Sequence, residues 1–191
     1  TNAQYASFVE ATGYRAQGEW REAAGSSREQ HPVVNVTWND ALAYAEWCGK
    51  HLPSEAQWEK AARGSDGRIW PWGNVWDGNR CNVTLRGTTP VGSYPTGVSP
   101  YACHDMAGNV WEWVADWYDA GYYARSPGSD PRGPESGDSR VVRGGSWSNF
   151  GRHVRSAYRH WSEPGYRDLL VGFRLALGHR GPAEPAQQAG E

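Results

Sequence analysis

The chain is organised around residues 140–177, which read RVVRGGSWSNFGRHVRSAYRHWSEPGYRDLLVGFRLAL. This stretch opens with RGGSW at 143–147 and closes with GFRLA at 172–176, and both ends are typical of strands or turns in fixed positions. The residues between them show neither the period of 2 of a strand nor the period of 3.6 of a helix. A fixed frame around irregular contents is typical of a binding face on a rigid scaffold.

The residues predicted to form this face are a mixture common in antibody combining sites. Rigid aromatic side chains supply contact area there, and small polar ones supply adaptable hydrogen bonds. The predicted ligand-binding residues are Ser148, Asn149, Phe150, His153, Tyr158, His160, Ser162, Tyr166, Asp168, Leu169 and Leu170. The alternative is that Phe150, Tyr158 and Leu170 lie in the core and that the histidines are solvated side chains without a role.

Arginine dominates the charge of the same region. Residues 140–180 hold eight arginines against Glu163 and Asp168, whereas lysine occurs only at Lys50 and Lys60. Two interpretations stay open. The arginines brace loops through carbonyls and carboxylates, or they line a ligand site, since a guanidinium offers planar, multidentate donors that an ammonium lacks.

The composition predicts one compact, loop-rich domain. The 191 residues suffice for a substantial core. The mean hydropathy of -0.78 is low, but the 12 Trp and 10 Tyr offset it, because each buried aromatic ring hides on the order of 150–250 Å². The 24 Gly and 12 Pro predict long loops, and the abundance of aromatic residues excludes a disordered chain.

Charge and cysteine content limit the possible partners. The net charge of -2 predicts no general attraction to nucleic acid or to anionic membranes. No apolar run approaches the ~18 residues that span a bilayer. Cys48, Cys81 and Cys103 form neither a CxxC pair nor a disulfide-dense pattern, and a Cys81–Cys103 bridge stays open. The sequence predicts neither the compartment nor the oligomeric state.

Capping boxes, in which Ser or Thr is followed three positions later by Gln or Asp, mark three helix starts. The boxes lie at Thr1 and Gln4, Thr37 and Asp40, and Ser54 and Gln57. Helices are therefore predicted over residues 1–12, 38–48 and 54–63.

The remaining elements follow from composition and alternation. Loops are predicted over 14–31 and 119–139, short strands over 31–36 and 91–94, and a strand with both faces covered over 111–118.

The motifs along the chain resemble the formylglycine-generating enzyme (sulfatase-modifying factor) family. They keep the family's order and are TNAQY at 1–5, PVVNVTW at 32–38, LPSEAQWE at 52–59, PWG at 71–73, GNVWEW at 108–113, RGGSW at 143–147 and GFR at 172–174. The resemblance implies an α+β fold of the C-type lectin type, in the subtype of this family. Such a fold is loop-rich, with short helices and small antiparallel sheets. One domain is predicted over residues 1–177, with 140–177 as the binding or variable segment. Residues 178–191 carry no core signal and are predicted to form a flexible tail.

The resemblance also implies which family activity to expect. Members that make formylglycine use two cysteines shortly after the GGSW motif to bind copper, and the matching positions here are Asn149 and Val154. Cuprous copper prefers thiolates, so neither copper binding nor formylglycine synthesis is expected. Related sulfoxide synthases take their iron from histidines on a separate domain that has no counterpart here.

A structural calcium site is implied by the family's segment before the central strand. Its ligands here would be the side chains of Asp105 and Glu112 and the main-chain carbonyls of Gly108 and Val110. Such hard oxygen donors suit Ca²⁺. The alternative is that Asp105 and Glu112 pair with arginines such as Arg143 or Arg174.

Within the family, the segment between RGGSW and GFRLA looks like that of the variable proteins of diversity-generating retroelements. In these systems mutagenic reverse transcription turns AAC codons into NNC codons, which never encode Trp, Glu, Gln, Lys or Met. All eleven predicted ligand-binding residues belong to the permitted set. The resemblance therefore implies a protein or other macromolecular ligand, bound by the surface of residues 148–170.

Three functions follow, in order of preference. The first is a non-catalytic ligand-binding protein that displays a diversified surface. The second is an oxidative enzyme, or a domain of one, from the formylglycine-generating and sulfoxide-synthase family that lacks the copper-binding cysteines. The third is a recognition module within a larger signalling or secreted protein.

Overall fold

The computed structural model describes residues 1–83 and 86–178. The helices are α1 (Asn2–Thr12), α2 (Trp20–Ala24), α3 (Trp38–Trp47) and α4 (Glu55–Arg63), and the strands are β1 (Trp111–Trp117), β2 (Arg140–Arg143), β3 (Arg159–Ser162) and β4 (Val171–Phe173). Short 3₁₀ turns occur at Gly78–Arg80, Pro95–Gly97, Tyr122–Ala124 and Gly151–His153. Apart from Gly178, the predicted tail lies outside the described residues. None of the helices described is long and apolar enough to cross a membrane.

The three capped helices begin where the sequence predicts them. Thr1, Thr37 and Ser54 each accept a hydrogen bond from the backbone N–H three residues on, and all three capping boxes are closed. Helix α1 ends at Gly13 with φ of 68°, a left-handed conformation that glycine adopts without a Cβ clash. These starts are encoded locally, which explains why they were predictable.

Helix α2 was not predicted, so the loop expected over 14–31 is wrong over this five-residue stretch. Its N-cap residue, Glu19, makes no capping hydrogen bond with its side chain, which removes the usual sequence signal. Trp20 holds the turn in place, because it is buried and its ring lies edge-on to Tyr5 with centroids 5.1 Å apart. Tertiary packing fixes this helix.

The short strands predicted over 31–36 and 91–94 do not form. Residues 31–36 bury three valines, but Asn35 has a φ of 59° and breaks the extended backbone, so the segment joins no sheet. Residues 91–94 form a turn that makes one backbone hydrogen bond to residue 30, from Val91 N–H to the Gln30 carbonyl at 2.9 Å. Residues 31–36 therefore pack without pairing in a sheet, and Val91 is exposed.

The four strands form one sheet in the order β3-β2-β1-β4. The β3–β2 and β2–β1 pairs are antiparallel, as expected, whereas β1 and β4 are parallel and pair Trp111 with Val171. The predicted covering of β1 on both faces is confirmed, since Trp113 and Val114 point to opposite faces and both are buried.

The two faces of the sheet have different partners. One face packs on α4, where Val114 and Val141 lie against Trp58. The other face packs at one end on Ala41 of α3 and Leu52. The rest of this second face forms the floor of an open cavity.

Arginines brace this sheet, which confirms the bracing interpretation for four of them: Arg140, Arg143, Arg159 and Arg174. The guanidinium of Arg140 lies between the rings of Trp38 and Trp117, at 3.8 and 3.4 Å from their centroids. It also donates to the Ala115 carbonyl at 2.6 Å. Cation–π contacts of this kind strengthen when they are withdrawn from water.

Asp116 gives the fold a predictable dependence on pH. Its carboxylate accepts the Glu55 N–H at 2.7 Å and so caps α4. Burial raises the pKa of Asp116 from 3.8 to about 7, and the Glu55 carboxylate adds to the rise, while that hydrogen bond and Arg140 and Arg159 oppose it. The folded state therefore holds a proton that the unfolded state releases near pH 4. This contribution to stability is lost as the pH rises from about 4 to about 7.

Between pH 4 and 7, we expect the melting temperature of Asp116→Asn to fall less steeply with rising pH than that of the wild type. The reason is that the amide has no proton to lose over that range. Thermal melts across the range measure this. Asp138→Asn, at an exposed position, is the matched control and should follow the wild type. Parallel curves for wild type and Asp116→Asn would contradict the prediction.

Candidate binding site

An open cavity of about 270 Å³ lies on the second face of the sheet. All four strands contribute to its floor, and the segments on either side of β3 form its walls. The lining residues are Trp111, Val142, Asn149, His153, Tyr158, His160, Ser162, Tyr166, Leu170 and Val171. The cavity thus lies where the fixed sheet meets the irregular segment that the sequence singles out.

Seven of the eleven predicted ligand-binding residues line this cavity: Asn149, His153, Tyr158, His160, Ser162, Tyr166 and Leu170. The other four lie outside it. Ser148 is exposed, Phe150 and Leu169 are 60% and 52% exposed, and Asp168 accepts the Tyr166 hydroxyl at 2.7 Å. A role in ligand binding stays a prediction for all eleven.

The alternative of core positions holds in part. Tyr158 and Leu170 are half-buried and pack on the core cluster that contains Trp111 and Trp113. Phe150 does not lie in the core, because most of its surface is exposed. The cavity wall is therefore built partly from residues that also support the fold.

Side chains alternate between the two faces of the sheet along Tyr158 and strand β3, which the sequence did not predict. Tyr158, His160 and Ser162 line the cavity, whereas Arg159 and Trp161 contact Tyr118 on the opposite face. This is the period of 2 of a strand. Strand β3 has only four residues, which is too short for this alternation to be recognised in the sequence among the surrounding loops.

The RGGSW turn folds the wall back over the sheet. Gly144 and Gly145 have φ of 94° and 75°, and a Cβ on Gly145 would lie 2.5 Å from Val154 Cγ1. The turn is then closed by Asn149, whose Oδ1 accepts the Ser146 N–H at 2.8 Å and the Ser146 hydroxyl at 3.0 Å. These bonds fix the orientation of the Asn149 amide group at the cavity wall.

Aromatic rings form much of the lining. The centroids of Trp111 and His160 are 5.3 Å apart, those of Trp111 and Tyr158 6.0 Å, and those of His153 and Tyr158 5.3 Å. These separations lie in the range of favourable ring–ring contacts. The rings therefore support one another in the absence of a ligand.

Both histidines of the cavity have lowered pKa values. Burial lowers the pKa of His153, and the charges of Arg152 and Arg155 lower it further. Burial also lowers the pKa of His160, with a further contribution from His153. Lowering of the pKa favours the neutral form of both rings at pH 7. The Nε2 of His153 accepts from Arg152 Nε at 3.1 Å, which makes Nδ1 the donor nitrogen of that ring.

Trp111, Val142 and Val171 also line the cavity, although they were not predicted as part of the site. They belong to three different strands, and their meeting depends on strand pairing that no local pattern encodes. The one signal available was position, since Val142 directly precedes the RGGSW motif and Val171 directly follows residues 148–170.

The two carboxylates among the four predicted calcium ligands, Asp105 and Glu112, are engaged by other partners in the arrangement described. Glu112 accepts the Trp58 indole N–H at 2.6 Å and two bonds from Arg174, each of 2.6 Å, so both of its oxygens are engaged. Asp105 accepts the Gly92 N–H at 2.7 Å. A cation would have to displace the positive charge of Arg174. Calcium binding stays a prediction, and metal analysis of the purified protein tests it.

The two positions that match the copper-binding cysteines hold no soft ligand. Asn149 closes the RGGSW turn, and Val154 is fully buried in an apolar cluster that includes Cys81. Burial raises the pKa of Cys81 to about 12, so this sulfur is a thiol at neutral pH. Cys48, Cys81 and Cys103 are all free, which leaves the Cys81–Cys103 bridge unformed. Within residues 1–83 and 86–178, no group of three or more His, Cys, Asp or Glu could hold a metal ion.

Comparison with known proteins places the chain in a family. The model of the sulfatase-modifying factor enzyme 1-like domain matches residues 1–178. The formylglycine-generating enzyme of Streptomyces coelicolor is 37% identical, over 92% of this chain and 75% of the relative. The serine/threonine-protein kinase Pkn1 of Chlamydia trachomatis serovar L2 is 40% identical, over 92% of this chain and 31% of the kinase.

A solved structure shares the fold. Treponema denticola variable protein 1 superposes with a TM-score of 0.73 at 24% identity, over 92% of this chain and 80% of that chain. The α+β fold predicted from the sequence, of the C-type lectin type, is thereby confirmed. By sequence and by fold, this chain belongs to the sulfatase-modifying factor enzyme 1-like family, which includes the formylglycine-generating enzymes.

Proposed function

We propose that this chain is a non-catalytic ligand-binding protein that displays a diversified surface, formed by residues 148–170, to a protein or other macromolecule. The observation that carries the proposal is the cavity on the sheet, which is lined by seven of the eleven residues singled out from the sequence. A small number of polar groups among aromatic walls is typical of binding pockets.

The surroundings of the cavity support a surface that tolerates change. Ser148, Phe150 and Leu169 are exposed beside it, so their side chains contribute little to the core. The frame, in contrast, is held by buried ion pairs and sheet pairing. The fold shared with Treponema denticola variable protein 1 is compatible with this division.

The chemistry of the site argues against formylglycine synthesis. Asn149 and Val154 supply an amide and an alkyl group where the family's active members supply thiolates, and Cu(I) prefers soft sulfur ligands. The second candidate function is nonetheless an oxidative enzyme. It is favoured by the 37% identity to a formylglycine-generating enzyme over most of the chain.

Copper binding tests whether the chain makes formylglycine. We expect the wild-type chain, supplied with Cu(I), to bind it weakly and to convert no cysteine of a sulfatase-type peptide to formylglycine. The double variant Asn149→Cys/Val154→Cys should gain stoichiometric Cu(I), measured by competition with a chromogenic chelator. Asn149→Ser/Val154→Ala is the control for packing changes. Oxygen consumption with formylglycine formation by the wild type would overturn the proposal.

A third possibility is a recognition module within a longer protein. It is favoured by the kinase relative, of which the chain matches 31%. The complete reading frame around this sequence tests it: a kinase or signalling domain in the same frame would support it. This arrangement is compatible with ligand binding by the same face.

A further inference from the structure

We propose that the cavity holds one polar-tipped aromatic side chain, such as that of tyrosine, from an extended segment of a partner protein that pairs with the free edge of β3. This inference rests on the proposed function, because it names the kind of ligand that the binding face would take.

The edge of β3 is free among the described residues. The strand lies at one end of the sheet and pairs with β2 alone. No described backbone group outside the sheet bonds to the main chain of residues 159–162. In an antiparallel pair, alternate residues point their N–H and C=O groups away from the partner strand. Such an edge is a ready template for an added strand.

The cavity lies on the side of the sheet that an added strand would share. His160 and Ser162 of β3 both face it. Side chains of a strand alternate between the two faces and stand beside those of the neighbouring strand. A partner strand along β3 therefore places one side chain beside His160 or Ser162, at the mouth of the cavity.

The size and lining of the cavity select the anchoring side chain. Its volume of about 270 Å³ falls below the ~300–1,000 Å³ of pockets that take drug-sized ligands, so it suits a single large side chain. The rings of Trp111, Tyr158 and His160 line it, and aromatic rings stack well on one another.

Two polar groups favour an anchor with a hydroxyl tip. The Asn149 side-chain NH₂ and the Ser162 hydroxyl line the cavity and have no hydrogen-bond partner among the described residues. A phenol can accept from the amide and exchange a hydrogen bond with the hydroxyl. A phenyl or aliphatic side chain would desolvate both groups without compensation.

Charge around the cavity favours acidic residues on either side of the anchor. Arg152 and Arg155 flank the lining residue His153, and Arg167 follows Tyr166, all three being exposed. The acidic side chains of this segment are Glu163 and Asp168, and Asp168 is engaged by Tyr166. Opposite charge on a partner speeds association and selects against basic segments.

The test is a selection of random ten-residue peptides, displayed on phage, against the intact chain. We expect enriched peptides to carry a tyrosine within a run of β-branched residues, flanked by Asp or Glu. Replacing that tyrosine with alanine should lower the affinity at least tenfold. Methylating backbone nitrogens one at a time should weaken binding at alternate positions only, which is the signature of strand pairing.

Two matched protein variants locate the site. Ser162→Tyr fills the cavity and should lower the affinity at least tenfold, whereas Ser129→Tyr adds the same ring at an exposed position of the 119–139 loop, outside the 148–170 surface, and should leave the affinity unchanged. Thermal melts establish that both variants fold, and the peptide methylation series needs no variant.

Three results would overturn the inference: no peptide enriched, binding unchanged by Ser162→Tyr in a folded variant, or equal losses at every methylated position. Peptides whose binding is lost instead on substitution of Phe150 or Leu169 would overturn it while leaving the proposed function standing. The proposed function itself is tested separately, by selecting binders to a folded target protein from a displayed library of this chain.

Discussion

Arg143→Ala should lower the free energy of unfolding by about 3–5 kcal/mol, the range for breaking a buried ion pair by removing one partner. Arg143 is fully buried. It pairs with Glu55 at 3.3 Å and with Glu59, and donates to the Tyr158 carbonyl. The substitution removes one ion-pair partner from each of Glu55 and Glu59 of α4. It also removes the hydrogen bond that joins the sheet to Tyr158 in the cavity wall. Urea denaturation measures the loss.

The control for this substitution is Arg125→Ala. Arg125 also pairs with an acid, Asp119, but its side chain is 60% exposed. Exposed pairs contribute about 0–1 kcal/mol because water screens them. Equal losses for the two variants would mean that burial does not set the strength of the Arg143 network.

Gly172→Ala should destabilise the fold by about 3 kcal/mol, at the upper end for overpacking a core. Gly172 lies in β4, where a Cβ would stand 2.4 Å from the Val33 carbonyl oxygen and 3.3 Å from Val110 Cγ2. The clash is with backbone, which cannot rotate away. Relief would require separating β4 from residues 31–36, and thus opening the edge of the sheet next to the cavity.

Gly165→Ala is the matched control, because a Cβ there meets nothing within 4 Å. Its melting temperature should stay within a few degrees of the wild type, since surface changes rarely exceed about 0.5 kcal/mol. A Gly172→Ala variant as stable as Gly165→Ala would show that Val33 can move, and that the close approach is not required by the fold.

The sequence predicted local features of this fold better than distant ones. The helices at Thr1, Thr37 and Ser54 were predictable because each capping box lies within four residues of chain. The strand at 111–117 was predictable because Trp111, Trp113 and Trp117 lie close together within seven residues. Helix α2 and the failure of 31–36 to form a strand depend instead on the packing of Trp20 and on the φ of Asn35.

The site was predictable in composition but not in geometry. The mixture of side chains over 148–170 pointed to the segment, and seven of those chosen share one cavity. The floor was not foreseeable, because Trp111 meets Val171 only through a parallel pairing across the intervening chain. The Arg143–Glu59 contact likewise joins residues 84 apart in sequence. Pairing over such distances leaves no local pattern to read.

The central claim is that residues 148–170 form a variable binding face on a fixed frame, and a displayed library tests it most directly. The eleven predicted positions would be randomised together, and the library selected first for resistance to protease and then for binding to a folded target protein such as an antibody Fc fragment. We expect most sequences to stay folded, Tyr158 and Leu170 to tolerate the fewest substitutions, and binders to the target to emerge. General unfolding of the library, or a folded library that yields no binder, would contradict it.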